Sequence, residues 1–186
     1  MIEPTLPFGT REVVEKASDA AFGKALVTNV LRGHLVEAMI ALALEPEWTW
    51  CGADFASWDF ERSDGVRLEV KQSSRRQSWA TMATTKIAPR FDVKARTGRY
   101  EGNTFIPEPG RAAHLYIFAY HDCNDETADH RDPAQWEFFV MSANMLPNVA
   151  HLGLGSIRRM TPSVSIAGLA TKVQEVAAPH LPSFAP

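Results

Sequence analysis

The clearest pattern in the chain is an alternation of hydrophobic and polar residues on both sides of a short turn. Residues 58–72 read WDFERSDGVRLEVKQ, and residues 63–65 have the composition of a tight turn that ends on a left-handed glycine. The pattern predicts a β-hairpin with a three-residue loop. Because loop length sets the register, Phe60 should face Leu68 and Asp59 should face Glu69.

Side chains alternate between the two faces of a strand, so this hairpin should have one apolar and one charged face. The apolar face is predicted to carry Trp58, Phe60, Val66, Leu68 and Val70. The charged face is predicted to carry Asp59, Glu61, Arg67, Glu69 and Lys71. On this register the Cβ atoms of Asp59 and Glu69 lie roughly 5 Å apart, and opposed like charges destabilise a sheet. The pair therefore favours a bound divalent cation.

The remaining hydrophobic pattern predicts a protein of both helices and strands. Residues 31–44 have the strongest helical pattern, with a buried stripe of Leu35, Val36, Met39, Ile40, Leu42 and Ala43. One helix or two short helices, expected to pack on the core, are predicted at 10–27, and further helices at 142–146 and 164–176. Strands are predicted at 48–55, 114–120 and 136–141, and a long irregular loop at 86–110.

Length and composition are those of an ordinary globular chain. It has 186 residues, of which 45% are hydrophobic and 22% charged. We expect one domain over residues 1–176 and a flexible, proline-rich tail over residues 177–186. No window approaches a membrane span, the first residues lack a secretory signal, and the two cysteines are Cys51 and Cys123. A reducing cytoplasm is the expected location.

The charge is distributed unevenly along the chain. The formal net charge is -3, yet residues 75–99 contain seven basic residues and a single acid, Asp92. Such a strip on an otherwise acidic body is typical of a phosphate-binding surface. The alternative is a solvated loop in which the basic residues have no common partner.

A second candidate site lies between the two last predicted strands. The loop HDCNDETADHRD contains His121, Cys123 and His130, which are ligand types for zinc. Their spacing matches no recognised zinc motif, so a solvated surface loop is the expected structure.

The helix and the hairpin together resemble the PD-(D/E)XK nuclease superfamily, whose fold is that of restriction endonucleases. The resemblance implies an α/β fold with a mixed central β-sheet flanked by helices. The resemblance rests on Glu37 in the helix before the hairpin, on Asp59 in the first strand, and on Glu69-Val70-Lys71 with Gln72 in the second. It covers about forty residues. Trp58 stands where the family often has proline, and Asp54 is an alternative to Asp59 if the strands are offset.

The resemblance implies a Mg²⁺-dependent DNA endonuclease, with Mn²⁺ as an alternative ion. Asp59, Glu69 and the Val70 carbonyl would bind the metal, and Glu37 would lie in its outer shell or at a second metal. Lys71 would orient or activate the attacking water, and Gln72 and Ser73 would position water or phosphate. The DNA backbone would bind to Ser73, Arg75, Arg76, Lys86, Arg90, Lys94, Arg96 and Arg99.

Other functions on the same fold remain open at this point. A binding module could use the charged hairpin face as a surface ion-pair network, and a nuclease could act on RNA or branched DNA. Many members of the superfamily cut as dimers, so a homodimer is compatible with the resemblance. No membrane partner and no small organic cofactor are expected.

Overall fold

The computed structural model describes residues 7–52, 56–79 and 88–178. The helices of this part are α1 (Thr10–Phe22), α2 (Asn29–Leu44), α3 (Leu154–Met160) and α4 (Ile166–Ala177). The first strands are β1 (Trp48–Trp50), β2 (Phe60–Arg62), β3 (Arg67–Ser74) and β4 (Arg90–Asp92). The later strands are β5 (Arg99–Glu101), β6 (Thr104–Ile106), β7 (Leu115–His121), β8 (Trp136–Ser142) and β9 (His151–Gly153).

A five-stranded mixed sheet forms the centre of the protein. Its strand order is β1-β2-β3-β7-β8, in which β3 and β7 run parallel and the other neighbours run antiparallel. Two smaller ladders join β4 to β9 and β5 to β6. The predicted α/β class, with a mixed central sheet flanked by helices, is confirmed.

The predicted hairpin between β2 and β3 is also confirmed, with its register from Phe60 to the loop, whereas the predicted pairing of Asp59 with Glu69 lies outside the ladder, which begins at Phe60. Phe60 is paired with Leu68, and the Arg62 amide donates to the Val66 carbonyl at 2.9 Å across the loop. Gly65 has φ +82°, the left-handed conformation that the turn requires. Three loop residues therefore set the face of every side chain in β3.

Both faces of the central sheet are covered by hydrophobic side chains. On one face, Val36 and Ile40 of α2 and Leu169 of α4 pack against Leu68 and Val70. On the other face, Tyr116 and Phe118 of β7 pack with residues of β4, β9 and α3. The charged face of β3 therefore borders a second core and is not an open platform.

The assignment of Trp58 to the apolar face is wrong. Its ring packs at the edge of the second core and lies 3.9 Å below the Arg67 guanidinium, on the charged side of the hairpin. The reason is that β2 begins only at Phe60, so strand alternation does not extend back to Trp58.

Helical periodicity predicted the positions of the helices better than it predicted which of their residues are buried. In α2, Leu42 is 83% exposed, whereas Arg32 is fully buried and was not predicted to be. The packing face expected for residues 10–27 is also wrong within α1, which has no buried residue and exposes Val13 and Val14. α4 extends through Ala177, which is buried, so the predicted tail began one residue early.

The region predicted as a long irregular loop contains three strands. β4 joins β9, and β5 forms a hairpin with β6 around Gly102 and Asn103. The first predicted strand is shorter than expected, because β1 ends at Trp50. Cys51 and Cys123 are free thiols, and the described residues include no helix long and apolar enough to cross a membrane.

The histidine loop is not simply a solvated surface. His121 and His130 are both fully buried, with their rings 4.9 Å apart. The His130 Nδ1 accepts a hydrogen bond from the Val27 amide at 3.0 Å, and its Nε2 lies 2.9 Å from the Ser74 hydroxyl. An Nδ1 that accepts a hydrogen bond carries no proton, so this network requires a neutral imidazole.

The contribution of His130 to folding stability should consequently fall at acidic pH. Burial, followed by the charge of Arg32 and by His121, lowers the pKa of His130 from 6.5 to about 4. Between these values the unfolded chain binds a proton at this histidine that the folded chain does not. The contribution of His130 to the free energy of unfolding should therefore decrease by about 3 kcal/mol from pH 6.5 to pH 4, and groups with a raised pKa, such as Asp59, act in the opposite direction.

Urea denaturation at a series of pH values measures this effect. Relative to wild type, His130→Gln should lose less stability between pH 6.5 and pH 4, and His121, whose pKa burial also lowers, keeps its own contribution in both proteins. His151→Gln removes an exposed histidine and serves as the control, with the wild-type slope expected. An unchanged slope in His130→Gln would contradict the assignment.

Candidate active site

Asp59 stands where β2 separates from β3. Its amide donates to the Leu68 carbonyl at 3.0 Å, and its carboxylate Oδ2 accepts a hydrogen bond from the Val70 amide at 2.6 Å. If β2 were longer, a backbone carbonyl of that strand would accept the hydrogen bond from the Val70 amide. The Asp59 carboxylate accepts it instead. This arrangement holds the Asp59 carboxylate against the strand segment that carries Glu69 and Lys71.

The Val70 carbonyl faces the same edge of β3. Backbone groups of successive residues point to alternate sides of a strand, and the Arg67 carbonyl bonds to His114 on the β7 side. Val70 therefore directs both its amide and its carbonyl toward Asp59, consistent with the amide contact. An oxygen donor from the backbone thus lies on the same side as the Asp59 carboxylate.

Glu69 and Lys71 lie on one face of β3 and form an ion pair. The Lys71 Nζ is in very short contact with the Glu69 Oε1, and the two side chains are 27% and 17% exposed. In register they stand beside Tyr116 and Phe118 of β7, at the border of the second core. Glu69 and Lys71 line a cavity of about 210 Å³ that opens beside the sheet.

The pKa of Asp59 is strongly perturbed. Burial raises this pKa to about 7, and the neighbouring Glu69 and Glu37 charges act in the same direction. The Val70 hydrogen bond and the Lys71 charge oppose the rise without cancelling it. Burial and the neighbouring carboxylates thus disfavour the charged form of Asp59, and a bound cation would offset both effects.

Lys71 is held as an ammonium ion. Burial lowers its pKa, but the Glu69 charge and hydrogen bond, followed by the charges of Asp59 and Asp92, raise it overall. A lysine with a raised pKa is a poor general base. In this environment Lys71 is suited to donate hydrogen bonds and to stabilise negative charge.

Glu37 approaches the site from α2. Its Oε2 accepts a hydrogen bond from the Trp50 indole at 3.1 Å and lies 3.7 Å from His34 Nδ1. A Cβ added to Gly33, one turn earlier in α2, would lie 4.0 Å from the Glu37 Oε1. Its charge contributes to the raised pKa of Asp59, so the helix glutamate and the strand acids share one electrostatic environment.

Gln72 points to the opposite face of β3 from Glu69 and Lys71. Its side-chain oxygen accepts a hydrogen bond from the buried Arg32 at 2.7 Å, and its amide donates to Asn29 at 3.1 Å. Gln72 thereby attaches β3 to the first turn of α2. Arg32 was missed by sequence analysis, because an arginine at helical spacing gives no signal of burial.

The basic strip divides into two groups in space. Lys94, Arg96 and Arg99 line the cavity that contains Glu69 and Lys71. Arg75 instead pairs with Asp122 at 3.3 Å, and Arg76 makes a short contact with the Asp125 carbonyl.

The other predicted binding residues differ in their positions. Arg90 is exposed at the start of β4, and Ser73 is paired with Tyr120 on the same face as Lys71. Lys86 and the alternative acid Asp54 lie outside the described residues.

Asp92 is a cavity residue that the sequence analysis did not select. It accepts a hydrogen bond from the Lys94 amide at 3.0 Å and pairs with Arg96, and its charge acts on Lys71. A single acid within a basic stretch was the available signal. Asp92 lies on β4, a strand that was not predicted because the region is rich in glycine and proline.

The donor set at Asp59 and Glu69 fits a magnesium-type ion better than zinc. Among the described residues, no group of three or more His, Cys, Asp or Glu side chains is arranged as a metal cage. Magnesium does not require a cage, because it binds one or two carboxylates and keeps water or phosphate as its other ligands. Asp59, Glu69 and the Val70 carbonyl provide such a set, provided that Glu69 is shared with Lys71.

Comparison with known proteins gives one structural similarity. A bacterial homing endonuclease, I-Ssp6803I, is similar at 15% sequence identity and a TM-score of 0.42, with coverage of 83% of this chain and 99% of that chain. No protein-family model and no curated protein matches the sequence.

Substitutions at Asp59 should separate its charge from its hydrogen bond. Asp59→Asn keeps an oxygen for the Val70 amide and removes a negative charge, so its free energy of unfolding at pH 8 should equal or exceed that of wild type. Asp59→Ala leaves that amide without its acceptor and should be about 1–3 kcal/mol less stable than Asp59→Asn. Urea denaturation in EDTA measures both values. Equal stability of the two variants would show that the hydrogen bond contributes nothing.

Proposed function

We propose that this chain is a metal-dependent endonuclease that hydrolyses phosphodiester bonds in DNA. The observation that supports the proposal most strongly is the convergence of Asp59, Glu69 and Lys71 at the point where β2 leaves β3. Burial and the Glu69 charge disfavour a charged Asp59, and Glu69 and the Lys71 ammonium line a cavity together with basic residues. This combination suits the binding of a divalent ion and a phosphate together.

Each residue has a distinct role in this proposal. Asp59, Glu69 and the Val70 carbonyl hold Mg²⁺ or Mn²⁺, and Glu37 adds negative charge from α2. When bound, the ion acidifies a water and neutralises charge on the phosphate. Lys71, as an ammonium, donates hydrogen bonds to phosphate oxygens and stabilises the charge that develops there.

The surrounding residues favour a nucleic acid as substrate. Lys94 lines the cavity and Arg90 is exposed nearby on β4, where both can contact a phosphate backbone. Arg96 and Arg99 are paired with Asp92 and Glu108, so their charge is partly compensated within the protein. Gln72 acts as a positioning residue that fixes β3 against α2.

Loss of the Glu69 carboxylate or of the Lys71 ammonium group should greatly slow DNA cleavage. Glu69→Gln and Lys71→Ala should each reduce the rate of plasmid nicking in Mg²⁺ by about 100-fold to 1,000-fold, because each removes a group that contacts the metal or the reacting phosphate. Gel electrophoresis of supercoiled plasmid measures nicking, and circular dichroism checks that both variants fold.

Matched controls are available on the same molecule. Glu61→Gln removes a carboxylate from the same face of the hairpin, where it pairs with Arg67 at 3.7 Å. Lys172→Ala removes a lysine of α4 that pairs with Glu175 at 2.9 Å. Both should cleave like wild type. Unchanged cleavage by Glu69→Gln and Lys71→Ala would assign the activity to another site. No cleavage of plasmid, linear, single-stranded or branched DNA by wild type would favour the binding module.

Metal binding should be detectable without catalysis. Mg²⁺ should raise the Tm of the wild-type chain by about 2–4 °C per kcal/mol of binding energy, since the ion binds the folded state alone. Asp59→Asn and Glu69→Gln should lose this shift, whereas Glu61→Gln should retain it. Differential scanning calorimetry with and without EDTA measures the shift, and equal shifts in all four proteins would place the ion elsewhere.

A further inference from the structure

Tyr116 of β7 is a buried tyrosine next to the candidate acids. The parallel register pairs it with Glu69 of β3. Neighbouring strands are about 5 Å apart and paired residues point to the same face, so the side chains of Tyr116 and Glu69 lie next to each other. Tyr116 is only 6% exposed, and it lines the cavity together with Glu69 and Lys71.

The ring of Tyr116 is held in place by the second core. Phe118, the next residue on the same face of β7, stacks on it at a centroid distance of 5.9 Å and an interplanar angle of 21°. On the other side of β7, the antiparallel register pairs Tyr116 with Met141 of β8, which is also buried. Contacts within the core thus fix the position of the phenol group before any ligand binds.

The hydroxyl of Tyr116 reaches the cavity and has no hydrogen-bond partner in the part of the chain that the structure describes. Four charged side chains act on this hydroxyl, and all of them line the cavity: Glu69, Arg111, Arg96 and Asp92. A buried tyrosine hydroxyl usually forms a hydrogen bond, because leaving it unpaired costs free energy. This hydroxyl therefore retains its donor for a ligand that enters the cavity.

The charge of the cavity indicates an anionic ligand. Five cationic and three acidic side chains line the cavity. Ion pairs engage three of the cations, whereas no described carboxylate pairs with Lys94 or Arg111. Burial, followed by the Glu69 charge, raises the pKa of Tyr116 to about 12, so its hydroxyl keeps its proton and can donate to an anion. A phosphate oxygen satisfies both the unpaired cations and the unpaired donor.

We propose that the Tyr116 hydroxyl donates a hydrogen bond to an oxygen of the phosphate that Lys71 contacts. The inference rests on the proposed function for its substrate class. In the free protein this hydroxyl bonds to no described group, so the hydrogen bond is gained when the phosphate binds. As negative charge develops on the phosphate during hydrolysis, the hydrogen bond strengthens, and Tyr116 therefore acts on the chemical step as well as on binding.

Tyr116→Phe tests the inference, because it removes the hydroxyl and keeps the ring. The variant should lower the kcat of plasmid nicking in Mg²⁺ by about tenfold to 100-fold, with a smaller change in KM. Tyr120→Phe is the matched control, since Tyr120 is a second buried tyrosine on the same face of β7 but does not line the cavity. This control should keep the wild-type kcat.

A stability measurement separates this role from a structural one. Because the hydroxyl has no described partner in the free protein, Tyr116→Phe should unfold in EDTA at a urea midpoint equal to or above that of wild type. A lower midpoint would assign the hydroxyl to a contact that stabilises the fold, and would overturn the inference.

Inorganic phosphate separates the inference from the proposed function, because it probes the cavity without cleavage. In EDTA, phosphate should raise the Tm of wild type and of Tyr120→Phe equally, and the shift should be smaller in Tyr116→Phe and in Lys71→Ala. Differential scanning calorimetry measures these shifts. A shift that depends on Tyr116, in a protein that cleaves nothing, would support the hydrogen bond and contradict the nuclease.

Two results would overturn the hydrogen bond. Cleavage that requires Glu69 and Lys71, with an unchanged kcat in Tyr116→Phe, would support the nuclease and exclude a role for this hydroxyl. If wild type cleaves nothing, equal phosphate shifts in wild type and Tyr116→Phe, including no shift in either, would exclude it as well.

Discussion

The hydrogen bond between the Val70 amide and the Asp59 carboxylate is the contact on which the candidate site depends. A strand that continued its pairing would satisfy this amide with a backbone carbonyl and leave no side chain there. Because β2 begins only at Phe60, the Asp59 carboxylate takes the place of a backbone acceptor for the Val70 amide. Burial of this carboxylate, and then the nearby Glu69 charge, raise the pKa of Asp59. A bound cation would offset both effects.

The central sheet supports the two sides of the candidate site unequally. β3 is joined to β7 by seven parallel residue pairs, so Glu69 and Lys71 stand on a strand that is paired along almost its whole length. Asp59 and Ser57 belong to a segment outside the strands, and β5 is attached to that segment through Ser57. The candidate site therefore combines side chains from the interior of the sheet with side chains from a segment at its edge.

Local patterns predicted the part of the site that a turn and strand alternation determine. The loop that ends at Gly65 predicted the register of the β2–β3 hairpin. Strand alternation then predicted that Glu69 and Lys71 share one face of β3. Trp58 was assigned to the wrong face because sequence does not mark where β2 begins. The β5–β6 hairpin was missed because glycines and prolines nearby suggested irregular structure, although Gly102-Asn103 between two β-forming runs is a hairpin signal. The contact of Arg32 with Gln72 joins residues 40 positions apart, and no periodicity reveals such a pair.

The Val70 amide has a consequence for spectroscopy. Most amides of a strand donate to carbonyl oxygens, whose charge does not change, but this one donates to a carboxylate whose charge depends on its surroundings. Its proton chemical shift should therefore respond to whatever alters the charge on Asp59, whether an acid, an ion or a neighbouring substitution. A single backbone resonance in the middle of β3 thus provides a direct observation of the electrostatic state of the site, independent of any reaction.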